Sequence, residues 1–86
     1  MSSYFTSVQN AVRLIREFAE GTSDRAHVNQ KIQEVINEMK IAKIRRLNSL
    51  WATLLTVSDE QLKKQAHWFR EYDNGAILIP KATVFE

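Results

Sequence analysis

Apolar and polar positions divide this chain into a long helical stretch and a short extended end. Phe5, Val8, Ala11, Val12, Ile15, Phe18 and Ala19 recur three or four residues apart, the spacing that gathers side chains on one face of a helix. Thr6 followed by Gln9 makes a capping-box pattern at the start. Gly21 supplies the stop, because glycine tolerates the left-handed conformation in which helices end. A first helix is therefore predicted over about residues 7–20. Arg13 with Glu17 and Arg16 with Glu20 stand one turn apart on its outer face, where such pairs add a few tenths of a kcal/mol each.

Thr22, Ser23 and Asp24 restart the chain as N-cap residues. No glycine or proline lies between Gly21 and Gly75, so a second helix is predicted to run over about residues 24–56. At 1.5 Å per residue that is roughly 48 Å long. Its apolar stripe is not constant. Val28, Ile32, Val35 and Met39 cluster on one side; Ile44, Leu47, Trp51 and Leu54 also cluster, but on a face rotated around the axis at 100° per residue. Either the two halves face different neighbours or the helix bends near Asn48-Ser49; the sequence is read here as one continuous helix.

A third helix is predicted over about residues 59–73. Ser58 caps it, Gln61 closes the box, and Val57 with Leu62 hold the hydrophobic-staple positions. Leu62, Ala66 and Phe69 form its inner face, with Trp68 and Tyr72 at the edges, and Asp73-Asn74-Gly75 ends it. Asn-Gly is also a strong hairpin signal, but a helical pattern precedes it, so it is read as a helix stop. Residues 76–86 then form a tail in which Ala76–Ile79 and Ala82–Phe85 read as β, with Pro80 confining the segment to a sheet edge.

The expected fold is thus mainly α: a single small domain over residues 1–86, three helices with a long central one, and a short C-terminal β or extended tail. With the first and third helices packed on opposite halves of the second, the protein is only two helices thick at any level. That leaves Trp51, Trp68, Phe18 and Phe69 short of cover, at about 1.5–3 kcal/mol for each large apolar side chain left in water. Self-association into a homodimer with a four-helix cross-section is the expected remedy. A break near Asn48, giving a compact four-helix monomer, is the alternative.

Composition narrows the chemistry. The chain has no cysteine, which removes disulfides, thiol catalysis and cysteine-based zinc sites. The amino terminus shows no secretory pattern, and no stretch approaches the roughly twenty apolar residues of a membrane span; a cytoplasmic location is expected. His67 and Glu71 sit four apart, but zinc needs three or four ligands, so no metal or cofactor is expected. Two glycines in the whole chain leave no phosphate loop and no nucleophile elbow. The serines and threonines read as caps. An enzyme is not expected.

Two features carry a functional flavour. The tail is apolar on both faces, since Ile77, Ile79 and Val84 alternate with Leu78 and Phe85, and such a strand can join a partner's sheet or groove. With Trp51 and Trp68 it suggests a protein–protein interaction module, an accessory subunit, assembly factor or inhibitor of a larger complex. Its docking residues are then Trp51, Trp68, Ile77, Ile79 and Phe85. The alternative is a small nucleic-acid-binding regulator. Net charge is only +2, but Lys40, Lys43, Arg45 and Arg46 fall in a window, between Glu38 and Asp59, that holds no carboxylate. Against it, these cations fan around the predicted helix. The sole recognisable turn for a helix–turn–helix, Val57-Ser58-Asp59, also leads into Asp59-Glu60, which repels phosphate.

Overall fold

The computed structural model describes residues 3–72 and 77–80, with side chains for residues 5–69, 79 and 80. Four helices, α1 (Ser3–Glu20), α2 (Arg25–Ile41), α3 (Arg45–Thr53) and α4 (Asp59–Gln65), precede two strands, β1 (Arg70–Tyr72) and β2 (Ile77–Ile79). The protein is mainly helical, as expected, but among the described residues the helices number four, not three. α1 begins at Ser3, so Thr6 lies inside it and does not cap it.

The central helix of about residues 24–56 does not exist. It breaks at Ala42-Lys43-Ile44, five residues before the expected bend position at Asn48. The longest dimension of the molecule, 32 Å, is shorter than the roughly 48 Å that an unbroken helix needs. The break is a regular helix ending. Ile44 N–H donates to Met39 O at 2.9 Å and Lys43 N–H to Lys40 O at 3.1 Å, the bond pair of a Schellman motif. The residue that must turn left-handed is Lys43, with φ of +61°. At the end of α1 the same motif uses Gly21, with φ of +83°; Thr22 N–H donates to Glu17 O at 2.8 Å and Gly21 N–H to Phe18 O at 3.1 Å.

This break accounts for the rotated stripe. Val28, Ile32, Val35 and Met39 are buried on α2, while Trp51 and Leu54 are buried on and just after α3, with Ile44 and Leu47 packed at the core margin. They join Val8, Ala11, Val12, Ile15 and Phe18 of α1 and Leu62 and Ala66 at α4 in one core. α1 packs against α2 and α4, and α3 against α2. The argument for a homodimer rested on a two-helix thickness that the folded chain does not have: Trp51 is fully buried and Phe18 nearly so within one copy.

Asp24 caps α2 by accepting from the His27 N–H at 2.8 Å. Ser58 and Gln61 close the expected capping box on α4. That helix stops at Gln65, however, and does not reach residue 73. His67 N–H donates to Lys64 O and Trp68 N–H to Gln65 O in tight turns, and the chain then extends. β1 pairs antiparallel with β2 in the register Arg70↔Ile79, Glu71↔Leu78, Tyr72↔Ile77. The pairing of β1 with β2 is the hairpin reading that was set aside; Asp73-Asn74-Gly75, read from the sequence as a helix stop, lies outside the described residues. A lone strand is marginal in water; β2 gains a partner in β1 and lies against α1, and Pro80 beyond it is fully buried. Phe85 and the second β-like stretch, residues 82–85, lie outside the described residues.

One side chain ties the connections together. The Arg25 guanidinium, at the start of α2, donates to the carbonyls of Leu54 (3.0 Å) and Val57 (2.9 Å), to Asn29 Oδ1 (2.9 Å) and to Asp59 Oδ1 (2.7 Å). It satisfies carbonyls left over beyond the end of α3, which a helix terminus must otherwise give to water. It also holds the start of α4 in place.

Candidate functional site

The four cations of the basic window surround the corner where α2 turns into α3. Lys40 lies in the last turn of α2, Lys43 is the left-handed turn residue, and Arg45 and Arg46 open α3; all four side chains are exposed. Because the chain bends between them, they do not fan around one straight rod as the sequence suggested. Lys40, Lys43 and Arg45 frame a concavity of about 520 Å³ whose other walls are Met39, Ile44, Asn48 and Ser49. Arg46 points instead into a second groove with Ile44, Leu47 and Ile79.

The corner is held firmly. Met39 is fully buried beneath it. Asn48 Nδ2 donates to Ile36 O at 2.8 Å and clips α3 onto α2. Ile44 stands at the N-cap position with no side-chain cap bond, so the first N–H groups of α3 lack the side-chain acceptor that usually meets them. Ile41, beside Lys40, is 82% exposed, an unusual cost for a large aliphatic side chain.

The helix–turn–helix in this chain is therefore α2–α3, with a turn of Ala42-Lys43-Ile44, and not the connection through Val57-Ser58-Asp59. The acidic opening of α4, Asp59-Glu60, lies outside that unit. A signal for it was present in the sequence: the stripe rotation falls between Met39 and Ile44, and an apolar residue two beyond a helix end commonly packs back on it.

The residues expected to dock a protein partner scatter. Trp51 is fully buried and stacks on Phe69, with ring centroids 5.6 Å apart; it is a core residue, because the break swings α3 back onto α2. Trp68 is 45% exposed just past α4. Ile77 sits on β2 with its side chain outside the described set, Ile79 is half-buried beside Arg46, and Phe85 lies outside the described residues. The tail segment 77–80 thus belongs to the fold itself.

His67 and Glu71 do not share a helix face, since His67 follows α4 in a turn and Glu71 is in β1. Among the described residues no three histidine or carboxylate groups converge as metal ligands, and no helix is long and apolar enough to cross a membrane. Hydrogen bonds from the His27 backbone N–H and then from its imidazole, at 2.8 Å each, hold the Asp24 carboxyl below the ordinary aspartate value. That pair caps α2 far along the helix from the basic corner. No protein-family model matches the chain, and neither curated proteins nor solved structures gave a match.

Proposed function

We propose that the chain is a small nucleic-acid-binding protein that grips the phosphate backbone with the α2–α3 corner. Lys40, Lys43, Arg45 and Arg46 supply the phosphate contacts. The observation that carries this reading is Lys43: a cation held left-handed at an exposed helix end, where glycine is the low-cost residue. A non-glycine residue there costs about 1–2 kcal/mol, and strain of this kind concentrates at functional positions. Here it places a third charge between Lys40 and Arg45 at the mouth of the concavity.

The test is fluorescence anisotropy with labelled oligonucleotides, single-stranded and duplex, over a range of salt. Neutralising four phosphates predicts a slope of log affinity on log salt of about −2.8 for single strands and about −3.6 for duplex. Reversing Arg45 and Arg46 to Glu should abolish binding; unchanged affinity overturns the reading. A parallel titration with phosphatidylserine vesicles decides against a lipid phosphate. Vesicle binding lost in Ile41→Ser, without oligonucleotide binding, replaces the nucleic-acid reading with a membrane-surface one.

A second reading, docking on a larger protein, keeps one specific support, the 45% exposure of Trp68, since half-exposed tryptophans are frequent interface anchors. Trp51 no longer contributes to it. Trp68→Ala would then abolish partner capture while leaving oligonucleotide affinity untouched.

A further inference from the structure

We infer that α3 lies in the major groove of duplex DNA, with Ser49 toward the base edges and the cations divided between the two flanking backbones. The inference rests on the nucleic-acid reading above and names the form of nucleic acid that the corner takes. Proteins that hold single strands stack the bases on aromatic side chains. Residues 28–50 hold no aromatic residue, and Trp51, the next in the chain, is fully buried against Phe69. The corner thus carries charge without a stacking platform, which suits a partner whose bases stay stacked.

The outer face of α3 has the make-up that a groove requires. Arg45, Ser49, Thr53 and Arg46 fall within about 100° of arc, and Trp51 falls on the opposite side, in the core. Arg45, Ser49 and Arg46 are exposed and Thr53 is half-buried. No carboxylate occurs between Glu38 and Asp59, so this face sets no negative charge against a backbone. A helix about 10–12 Å across matches a major groove about 12 Å wide.

The division of the cations follows from the same placement. Lys40, Lys43 and Arg45 border the concavity on one flank of α3. Arg46 lies on the other flank, with Ile44, Leu47 and Ile79. A helix seated in the major groove has a sugar–phosphate backbone along each side, so both flanks meet phosphate at once. Ser49, midway between the two arginines, is small enough to let the helix approach the base edges.

The test measures affinities of the intact chain by anisotropy for a mixed-sequence duplex and for each of its strands alone. A third ligand is the same duplex with glucosylated 5-hydroxymethylcytosine for cytosine, which fills the major groove and leaves the phosphates unchanged. Netropsin, which occupies the minor groove, serves as competitor. The plain duplex should bind most tightly, the glucosylated duplex should lose that advantage, and netropsin should displace nothing. Ser49→Leu keeps the charge and adds bulk at the centre of the face. It should weaken the plain duplex severalfold and leave the glucosylated one unchanged. Equal affinity for the two duplexes, or single strands as tight as the plain duplex, overturns the groove helix; salt-dependent binding then leaves the phosphate grip standing. Displacement by netropsin puts the protein in the minor groove and overturns it likewise. Failure of every oligonucleotide overturns the underlying function instead.

Discussion

Replacing Lys43 by glycine should make this protein more stable and worse at binding polyanions. The left-handed φ of +61° costs a residue with a Cβ about 1–2 kcal/mol. Glycine removes that cost but loses more freedom on folding, by roughly 0.5–1 kcal/mol. The net gain is about 0.5–1 kcal/mol, which for a domain of this size raises Tm by roughly 2–8 °C. Lys43→Ala separates the two effects, because alanine keeps the Cβ and loses the charge. It should therefore show no gain in Tm. Both variants should lower the salt dependence of oligonucleotide binding by the same amount, about 0.7–0.9 in the log–log slope for one phosphate contact. Thermal melts followed by circular dichroism and anisotropy at several salt concentrations read the two quantities from the same preparations. A lower Tm for Lys43→Gly refutes the strain argument. Binding that is equal in wild type, Lys43→Gly and Lys43→Ala refutes the claim that the strain is held for a charge.

Three further outcomes test the fold. Gln65 is fully buried, and among the described residues neither its amide nitrogen nor its oxygen has a hydrogen-bond partner; Gln65→Met should stabilise by about 1–3 kcal/mol, the cost of an unsatisfied buried polar group, and a loss of stability in urea melts would show that the amide is satisfied. Arg25→Ala should cost about 1.5–3 kcal/mol through the stranded carbonyls of Leu54 and Val57. The ion pair itself adds little, because the Asp59 side chain is 63% exposed. Arg25→Lys should not rescue it, since one ammonium cannot replace the planar fork that serves both carbonyls and the carboxylate; full rescue contradicts that account. Asp24 is more acidic folded than unfolded, so its contribution is complete above the ordinary aspartate value near pH 3.9. That contribution fades as pH falls through the lower folded value. Asp24→Asn keeps a capping oxygen, and its urea-midpoint profile below about pH 4 should be flatter than that of wild type.

The same physics decides what could be read from the sequence. Features that depend on neighbours within one helical turn were legible: the α1 face, the glycine stop at Gly21 and the Ser58–Gln61 capping box all stand. The stripe residues of the second helix were also chosen correctly, and their rotation was seen. Its cause was not, because the position that customarily carries glycine carries Lys43. A helix stop without its usual residue leaves only the phase of the stripe as a signal, and phase locates a break to within a turn. The hairpin lost to the helical reading of residues 66–72 because Phe69 falls at helical spacing from Leu62 and Ala66, and it packs half-buried against the core from an extended segment instead. Arg25, whose partners are 29 to 34 residues away, and the inward Gln65 had no local signature at all.

One missing glycine thus links the error in the fold to the proposed site. An unbroken central helix spreads Lys40, Lys43, Arg45 and Arg46 around more than half of a cylinder. The Schellman turn at Lys43 folds the segment on itself, sets the end of α2 beside the start of α3, and gathers three of the cations around a single concavity. A glycine would make that turn at lower cost but would leave its centre uncharged. In the proposed function, the more expensive residue stands where its charge would meet a phosphate. Substituting Lys43 therefore tests the architecture and the function together.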